Sequence, residues 1–327
     1  MRDEGGVKDE FELWNKNRMN NAFPLTVVIP TFNCARYISA TIHSALRIKD
    51  ASIIIADDAS CDGTTDVVKR YVDSSDGRVS LIRGNINIGM TANWQRAMSE
   101  VRTPFALKLD GDDIIFPDYV FNAVDVLLQC AELGIVGGRA NRIDSNQLLT
   151  DEEVAVYFDN ELRADSSSQK NKMSVYRGSD AAGFLLKWNP YPCSSTTIYR
   201  MNAWRAVGGF YEKLKWCTDR EIWFRIAREH SVGFVDFPSA LYRIHSNNVT
   251  ASLGRSDLYC YDLDLMFRHA RMSWPERELK VAFRREVFKI AKAYFGSSYR
   301  CILAGKRYEL IPRIIKGMRA FLYGVTL

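Results

Sequence analysis

The chain has 327 residues, of which 47% are hydrophobic and 25% charged, values that exclude disordered and fibrous classes and fit one large α/β domain with an appended element, or two domains. The net charge of +5 is unevenly placed, because residues 271–327 hold 13 Lys and Arg against 4 Asp and Glu. A basic tail on a neutral-to-acidic body suits contact with anions such as lipid headgroups or nucleic acid.

The first 23 residues are acidic early and lack the apolar stretch of a secretory leader, so they read as an extension. Leu25-Thr-Val-Val-Ile-Pro30 is a short run rich in β-branched residues, as expected of a strand buried on both faces. A helical pattern follows over 34–48, then a second buried strand over Ser52–Ala56. Asp62-Gly63 opens a helix to about 73, with Val67, Val68 and Tyr71 on one side. A third strand is predicted at 79–82, a helix at 91–101 and a fourth strand at 104–109. Pro117 suits the first residue of a helix running to about 130. This alternation predicts right-handed βαβ crossovers and a mostly parallel, doubly wound α/β sheet.

The polar stretch 139–175 is predicted as a long loop or lid. A helix at 178–187, a strand at 195–199, a helix at 201–207, a Gly208-Gly209 turn, a helix at 218–229 and a strand pair near 232–244 complete the body. Beyond about 257 the pattern is helical. Seven cysteines occur without a C-x-x-C pair, which argues for free thiols in a reducing compartment. No run of 18 apolar residues suggests a membrane span, so the expected address is cytoplasmic.

Ligands of an open parallel sheet bind at the carboxyl ends of its strands. Pro30-Thr31-Phe32-Asn33 follows the first strand. Asp57-Asp58-Ala-Ser60-Cys-Asp62-Gly63-Thr64 follows the second, and Asp110-Gly-Asp112-Asp113 the fourth. A single Asp in such a place is often a cap or turn former, a reading that suits Asp62 and leaves Asp57 open. Three carboxylates within four residues repel one another unless a cation compensates. A calcium loop is excluded, because Lys69 stands where a bidentate Glu would be required. Neither G-x-G-x-x-G nor a P-loop is present. Asp110-x-Asp112 fits chemistry in which a nucleoside diphosphate departs, since magnesium or manganese held by one or two carboxylates neutralises the leaving group.

At these positions the chain resembles the inverting glycosyltransferases of family 2, which have the GT-A fold. The matching segments are VVIPTFNCARYI (27–38), IIIADDASCDGT (53–64), NIGMTANW (87–94), LKLDGDDIIFPD (107–118), AVGGFYE (206–212) and CTDREIWFRIA (217–227). The resemblance implies a transferase that uses a nucleotide-sugar donor, commonly uridine-linked, and a divalent metal. It implies that Pro30, Thr31 and Phe32 line the base pocket, that Asp58 accepts a hydrogen bond from the base, and that Asn87 and Gly89 lie near the nucleotide. Asp110 would contact ribose or metal, Asp112 would be the main metal ligand, and Asp219 would be the general base. The family more often has Glu-Asp at this last place, and here Thr218 replaces the Glu. His245 would be a further metal or diphosphate ligand, because family members often carry His near this point.

Independently, Asp219 begins an amphipathic helix after a Gly-rich turn, where a carboxylate can face a cleft or simply meet the helix dipole. Trp223 reads as core and Trp216 as a candidate for the acceptor side, as does Tyr191–Thr196. Residues 277–296 and 306–323 mix Lys and Arg with Phe, Ile, Leu and Tyr, which suits a helix lying on an anionic membrane or one packed on the body. No Q-x-x-R-W motif of processive synthases occurs, and no nucleic-acid-binding motif supports the tail as a nucleic-acid arm. The resulting division is an N-terminal extension (1–23), a catalytic domain (24–250) with a nucleotide-binding half (24–118) and an acceptor half (119–250), and a basic helical region (251–327). The expected reaction is single-sugar transfer to a glycan or lipid-linked acceptor. The competing reading is a nucleotide-sugar-binding subunit of a polysaccharide assembly complex that does not turn over.

Overall fold

The computed structural model describes residues 23–146, 173–187, 194–246 and 248, and single helical positions at 262, 265, 266, 268, 269, 285, 288, 292, 295, 314, 317 and 318. Strands β1 (Leu25–Thr31), β2 (Ser52–Asp57), β3 (Val79–Arg83) and β4 (Phe105–Lys108) alternate with helices α1 (Ile38–Leu46), α2 (Thr64–Ser74) and α3 (Met90–Ser99). The short β5 (Ile114–Ile115) leads into α4 (Pro117–Gln129), which has Pro117 in its first turn. Then come β6 (Leu133–Asp144), β7 (Met173–Tyr176), α5 (Gly178–Lys187), a 3-10 turn at Ser194–Thr196, β8 (Ile198–Arg200), α6 (Met201–Ala206), α7 (Thr218–Glu229) and β9 (Ser231–Ile244).

The nine strands form one sheet in the order β3-β2-β1-β4-β8-β6-β9-β5, with β7 also paired to β9. Pairing is parallel across β3-β2-β1-β4, as the βαβ alternation requires. The second half departs from the mostly parallel expectation. There β8 runs antiparallel to both β4 and β6, and β5 and β7 run antiparallel to β9. Among the described residues of this half, only β6 and β9 pair in parallel.

Alternation along the strands splits the core between the two faces. Leu25, Val27 and Ile29 of β1 and Phe105, Leu107 and Leu109 of the β4 strand end pack with α1, α2 and α4. Val28 and Ala106, with opposite pleat, pack with α3, α5, α6 and α7. Burial on both faces explains why these strands read as unbroken apolar runs.

Two expectations are corrected. The stretch after 139 is not loop throughout, since β6 continues to Asp144; residues 147–172 of the expected lid lie outside the described residues. The predicted strand pair near 232–244 is one 14-residue strand. Its Pro238 lies opposite Arg139 between two register shifts, a bulge that tolerates a residue without an N–H. Gly138 is required there, because a Cβ would fall 1.8 Å from Ser239 Oγ.

Candidate active site

A cavity of about 740 Å³ opens at the carboxyl ends of β1, β2 and β4. Pro30, Thr31, Phe32, Asp58, Asn87, Gly89, Asp110, Asp112, Asp219 and His245 all line it. The structure therefore gathers these ten sequence-predicted site residues around one space; residues 191–193 of the expected acceptor segment lie outside the described residues.

Two of the acidic residues after β2 are scaffold. Asp57 is fully buried and accepts from Ser60 N (3.0 Å), Ser60 Oγ (2.5 Å) and Thr65 Oγ1 (2.5 Å). Asp62 binds Thr64 N and Ala35 N, each at 3.0 Å, joining the turn before α2 to the turn after β1. Asp58 differs, because it is nearly buried yet faces the cavity. Its Oδ1 accepts from Ile88 N and its Oδ2 from Gly89 N, both at 2.9 Å, while its carbonyl receives Asn87 Nδ2 at 3.3 Å. Gly89 has φ +91 and ψ 158, a conformation open to glycine and hardly to any L residue. One carboxylate thus holds the 87–89 turn to the sheet edge, with one lone pair of each oxygen remaining for a ligand.

The carboxylates after β4 are separated in role. Lys108, fully buried, reaches Asp110 Oδ1 at 2.5 Å, and Ser194 Oγ donates to Asp110 Oδ2 at 2.9 Å. Asp110 N donates to Ser195 Oγ at 3.0 Å. Asp113 points away from solvent to Arg243 N (2.9 Å) and Ser195 Oγ (2.7 Å). Burial, with the neighbouring Asp112 and Asp110 charges, pushes its carboxyl well above the usual range. Asp112 meets His245, with Nε2 2.7 Å from Oδ2. The imidazole stacks on Tyr37 at 5.2 Å between ring centres, and Arg243 lies 4.8 Å from the same ring centre.

Opposite them stands Asp219, in the first turn of α7. Desolvation raises its pKa, against the lowering influence of the Arg220 N–H and of the Lys108 and Arg220 charges. Trp216 and Arg220 share this wall. Thr218, where the family more often has Glu, is fully buried, with its hydroxyl 2.9 Å from that of Thr91. Trp223 is core, its Nε1 donating to Tyr199 OH at 3.1 Å. Cys34 also touches the cavity, but burial pushes its thiol up to about 11, which disfavours the thiolate a nucleophile would need.

Asp112 and His245 fit a divalent cation, since they present a hard carboxylate oxygen and an imidazole nitrogen on the same wall. Asp110 fits less directly, because Lys108 already balances its charge. Among the described residues no group of three His, Cys, Asp or Glu side chains surrounds one point. A metal at this wall would therefore need further ligands from substrate phosphates and water.

Sequence reasoning named Ser194 and Ser195 only within the Tyr191–Thr196 segment at the acceptor side, whereas the structure pairs them with Asp110, and it did not find Lys108, Tyr37 or Asp262. The last accepts three backbone N–H groups just before α7. Only the D-x-D neighbourhood offered a signal for any of them, and only for Lys108.

Comparison with known proteins agrees with this architecture. The family model "Glycosyl transferase family 2" matches residues 26–204. "Putative glycosyltransferase EpsE" of Bacillus subtilis (strain 168) is 25% identical over 248 residues, covering 75% of this chain and 80% of that protein. "Putative teichuronic acid biosynthesis glycosyltransferase TuaG" of the same organism is 33% identical over 98 residues, 29% of this chain and 38% of the relative. Among solved structures, S. aureus TarS 1-349 in complex with UDP-GlcNAc superposes with a TM-score of 0.57 at 16% identity, over 92% of both chains. The mannosyltransferase PcManGT from Pyrobaculum calidifontis, in complex with GDP-Man and Mn2+, gives 0.56 at 16% identity over 97% of this chain and 96% of that one. At these identities the structural likeness shows a shared GT-A fold.

Proposed function

Because the chain belongs to glycosyltransferase family 2, we propose that it moves one sugar from a nucleotide-diphosphate sugar to a hydroxyl acceptor by a single inverting displacement. The observation that carries this reading is convergence: Asp58, Asp112 and Asp219, from three distant parts of the chain, line one cavity. The UDP-GlcNAc and GDP-Man held by structural neighbours support a nucleotide-sugar donor.

Pro30, Thr31 and Phe32 form the base pocket, and Asp58 offers its remaining lone pairs to the base while holding Asn87 and Gly89 against the nucleotide. Asp112 and His245 would hold the metal, and Asp110 would face the ribose with its position set by Lys108 and Ser194. A bound manganese or magnesium ion supplies positive charge that stabilises the departing diphosphate. Asp219 takes the proton of the acceptor hydroxyl as its oxygen bonds to the anomeric carbon. The bond from that carbon to the diphosphate oxygen breaks on the opposite face, which inverts the configuration. Trp216 provides a face on which an acceptor sugar stacks.

A glycan or lipid-linked acceptor and peripheral contact of the basic C-terminal region with an anionic membrane complete the reading. Most of that region lies outside the described residues, and among the described ones no helix is long and apolar enough to cross a membrane. Flotation with anionic vesicles checks the contact, and equal flotation of the full chain and a chain ending near 270 would dismiss it.

The deciding experiment is Asp219→Asn. Binding of UDP or GDP with manganese should stay near parental, and release of nucleoside diphosphate from a panel of nucleotide sugars should vanish, water serving as the smallest hydroxyl acceptor. Release at the parental rate removes Asp219 as the base. Parental protein that binds donors and never releases diphosphate instead establishes a binding subunit without turnover.

A further inference from the structure

The start of α7 lacks a cap of its own. Cys217, its N-cap residue, makes no side-chain cap bond. The N–H groups leading into the helix converge instead on Asp262. Lys215 N donates to Asp262 Oδ1 at 3.0 Å, and Trp216 N and Cys217 N donate to Oδ2 at 2.8 and 2.7 Å. Successive backbone N–H groups of this kind form an anion nest, and the helix N-terminus adds partial positive charge. Asp262 is 2% exposed and lies 45 residues beyond Cys217, outside the segment that the family model matches.

The same downstream segment grips α7 again one turn later. Met266 is fully buried and belongs to the same core cluster as Ile222 and Trp223 of α7. His269 Nδ1 lies 2.5 Å from Glu221 Oε1, and its ring stacks on Tyr211 at 4.0 Å. Glu221 is itself buried and receives Arg225 Nε and Nη2, each at 2.6 Å. Asp219 stands midway between these two tethers.

We propose that Asp262 is a positioning residue for sugar transfer: by filling the nest before α7, it fixes the Asp219 carboxylate in the cavity, with His269 on Glu221 as a second tether. The inference rests on the reading of Asp219 as the base. Without Asp262, three N–H groups turn to water and the first turn of α7 loosens. A displacement of about 1 Å in a reacting group costs on the order of 100-fold in rate. Trp216 belongs to both the nest and the cavity wall, so the acceptor side shifts with it.

The test uses full-length Asp262→Asn and Asp262→Ala. Diphosphate release from nucleotide sugars with manganese is measured beside UDP binding and folded fraction by circular dichroism. Asparagine retains one acceptor oxygen and alanine none, so kcat should fall by about 10-fold in the first and 100-fold in the second. UDP affinity should stay within about twofold, a split that loss of folding does not produce. In an Asp219→Asn background, Asp262→Ala should cause no further loss of turnover. Parental kcat in folded Asp262→Ala, with Asp219→Asn inactive, overturns the proposal and leaves the base assignment standing. Parental turnover in Asp219→Asn overturns the base assignment itself. Should either variant fail to fold, hydrogen exchange in the parental protein decides. Slow exchange at the Trp216 and Cys217 amides is expected, and exchange at the rate of open loops refutes the nest.

Discussion

Lys108 Nζ lies 2.5 Å from Asp110 Oδ1 and 3.5 Å from the centre of the Trp94 ring. The lysine is wholly buried, whereas the carboxylate is 28% exposed at the cavity wall. The D-x-D element therefore rests on an internal cation, and half of its formal charge is balanced by Lys108. Lys108→Met should leave that carboxylate uncompensated and cost about 3 kcal/mol. Urea denaturation checks this, and an unchanged midpoint would show that the pair contributes nothing.

The raised pKa of Asp219 has consequences of opposite sign for activity and stability. With Asp219 as the proposed base, turnover needs its ionised form, so the acid limb of kcat/KM should lie above the usual carboxylate range. Arg220→Ala removes a charge that holds the pKa down and should move that limb to higher pH. Folding favours the protonated form of a carboxyl raised in this way. Its stabilising contribution is complete below the unfolded value of 3.8 and fades as pH rises through the folded value. Asp219→Asn should therefore melt higher than the parental protein at neutral pH, with the gap closing in acid. A lower melting temperature at pH 7 would contradict the sign.

Asp58→Ala removes the acceptor for two backbone N–H groups of the 87–89 turn and should cost about 1–3 kcal/mol. UDP affinity should fall with it, because on the proposed reading the turn and the base pocket share that carboxylate. Calorimetric titration with UDP and manganese reads the loss. Asp58→Asn, which keeps one acceptor, should fall between the two.

His245→Ala and Asp112→Asn should each weaken manganese-dependent UDP binding and leave metal-free binding nearly unchanged. Thermal shift with UDP, with and without manganese, distinguishes the two, since a ligand raises the midpoint according to its affinity for the folded state. Equal shifts with and without manganese in the parental protein would remove the metal from this wall.

The first half of the fold was legible because its physics is local. Ile53, Ile55 and Val28 announce strands buried on both faces, and the acidic clusters fall at their ends. The strand β6 was missed because Gly137-Gly138 and the polar run Arg139–Asn141 imitate a loop, and only pairing with β9 makes them strand. The candidate site was legible as a set of carboxylates, while their division of labour was not. Nothing within the 57–62 run says that Asp57 serves Ser60 and Thr65 while Asp58 turns to Ile88 and Gly89. Lys108 resembles any strand lysine until Trp94 and Asp110 close over it. Asp262 is connected to Cys217 only through space.

The antiparallel pairing of β8 with both β4 and β6 joins the parallel β3-β2-β1-β4 part of the sheet to the β6-β9 part in one continuous sheet. Among the described residues, a sheet shared in this way offers no hinge between its two parts, unlike kinases or periplasmic receptors that clamp shut on a ligand. On the proposed reaction, entry of donor and departure of diphosphate then depend on surface turns moving over the sheet. Substitutions that alter turnover by changing mobility should accordingly cluster in the turns above the cavity and spare the strands beneath it.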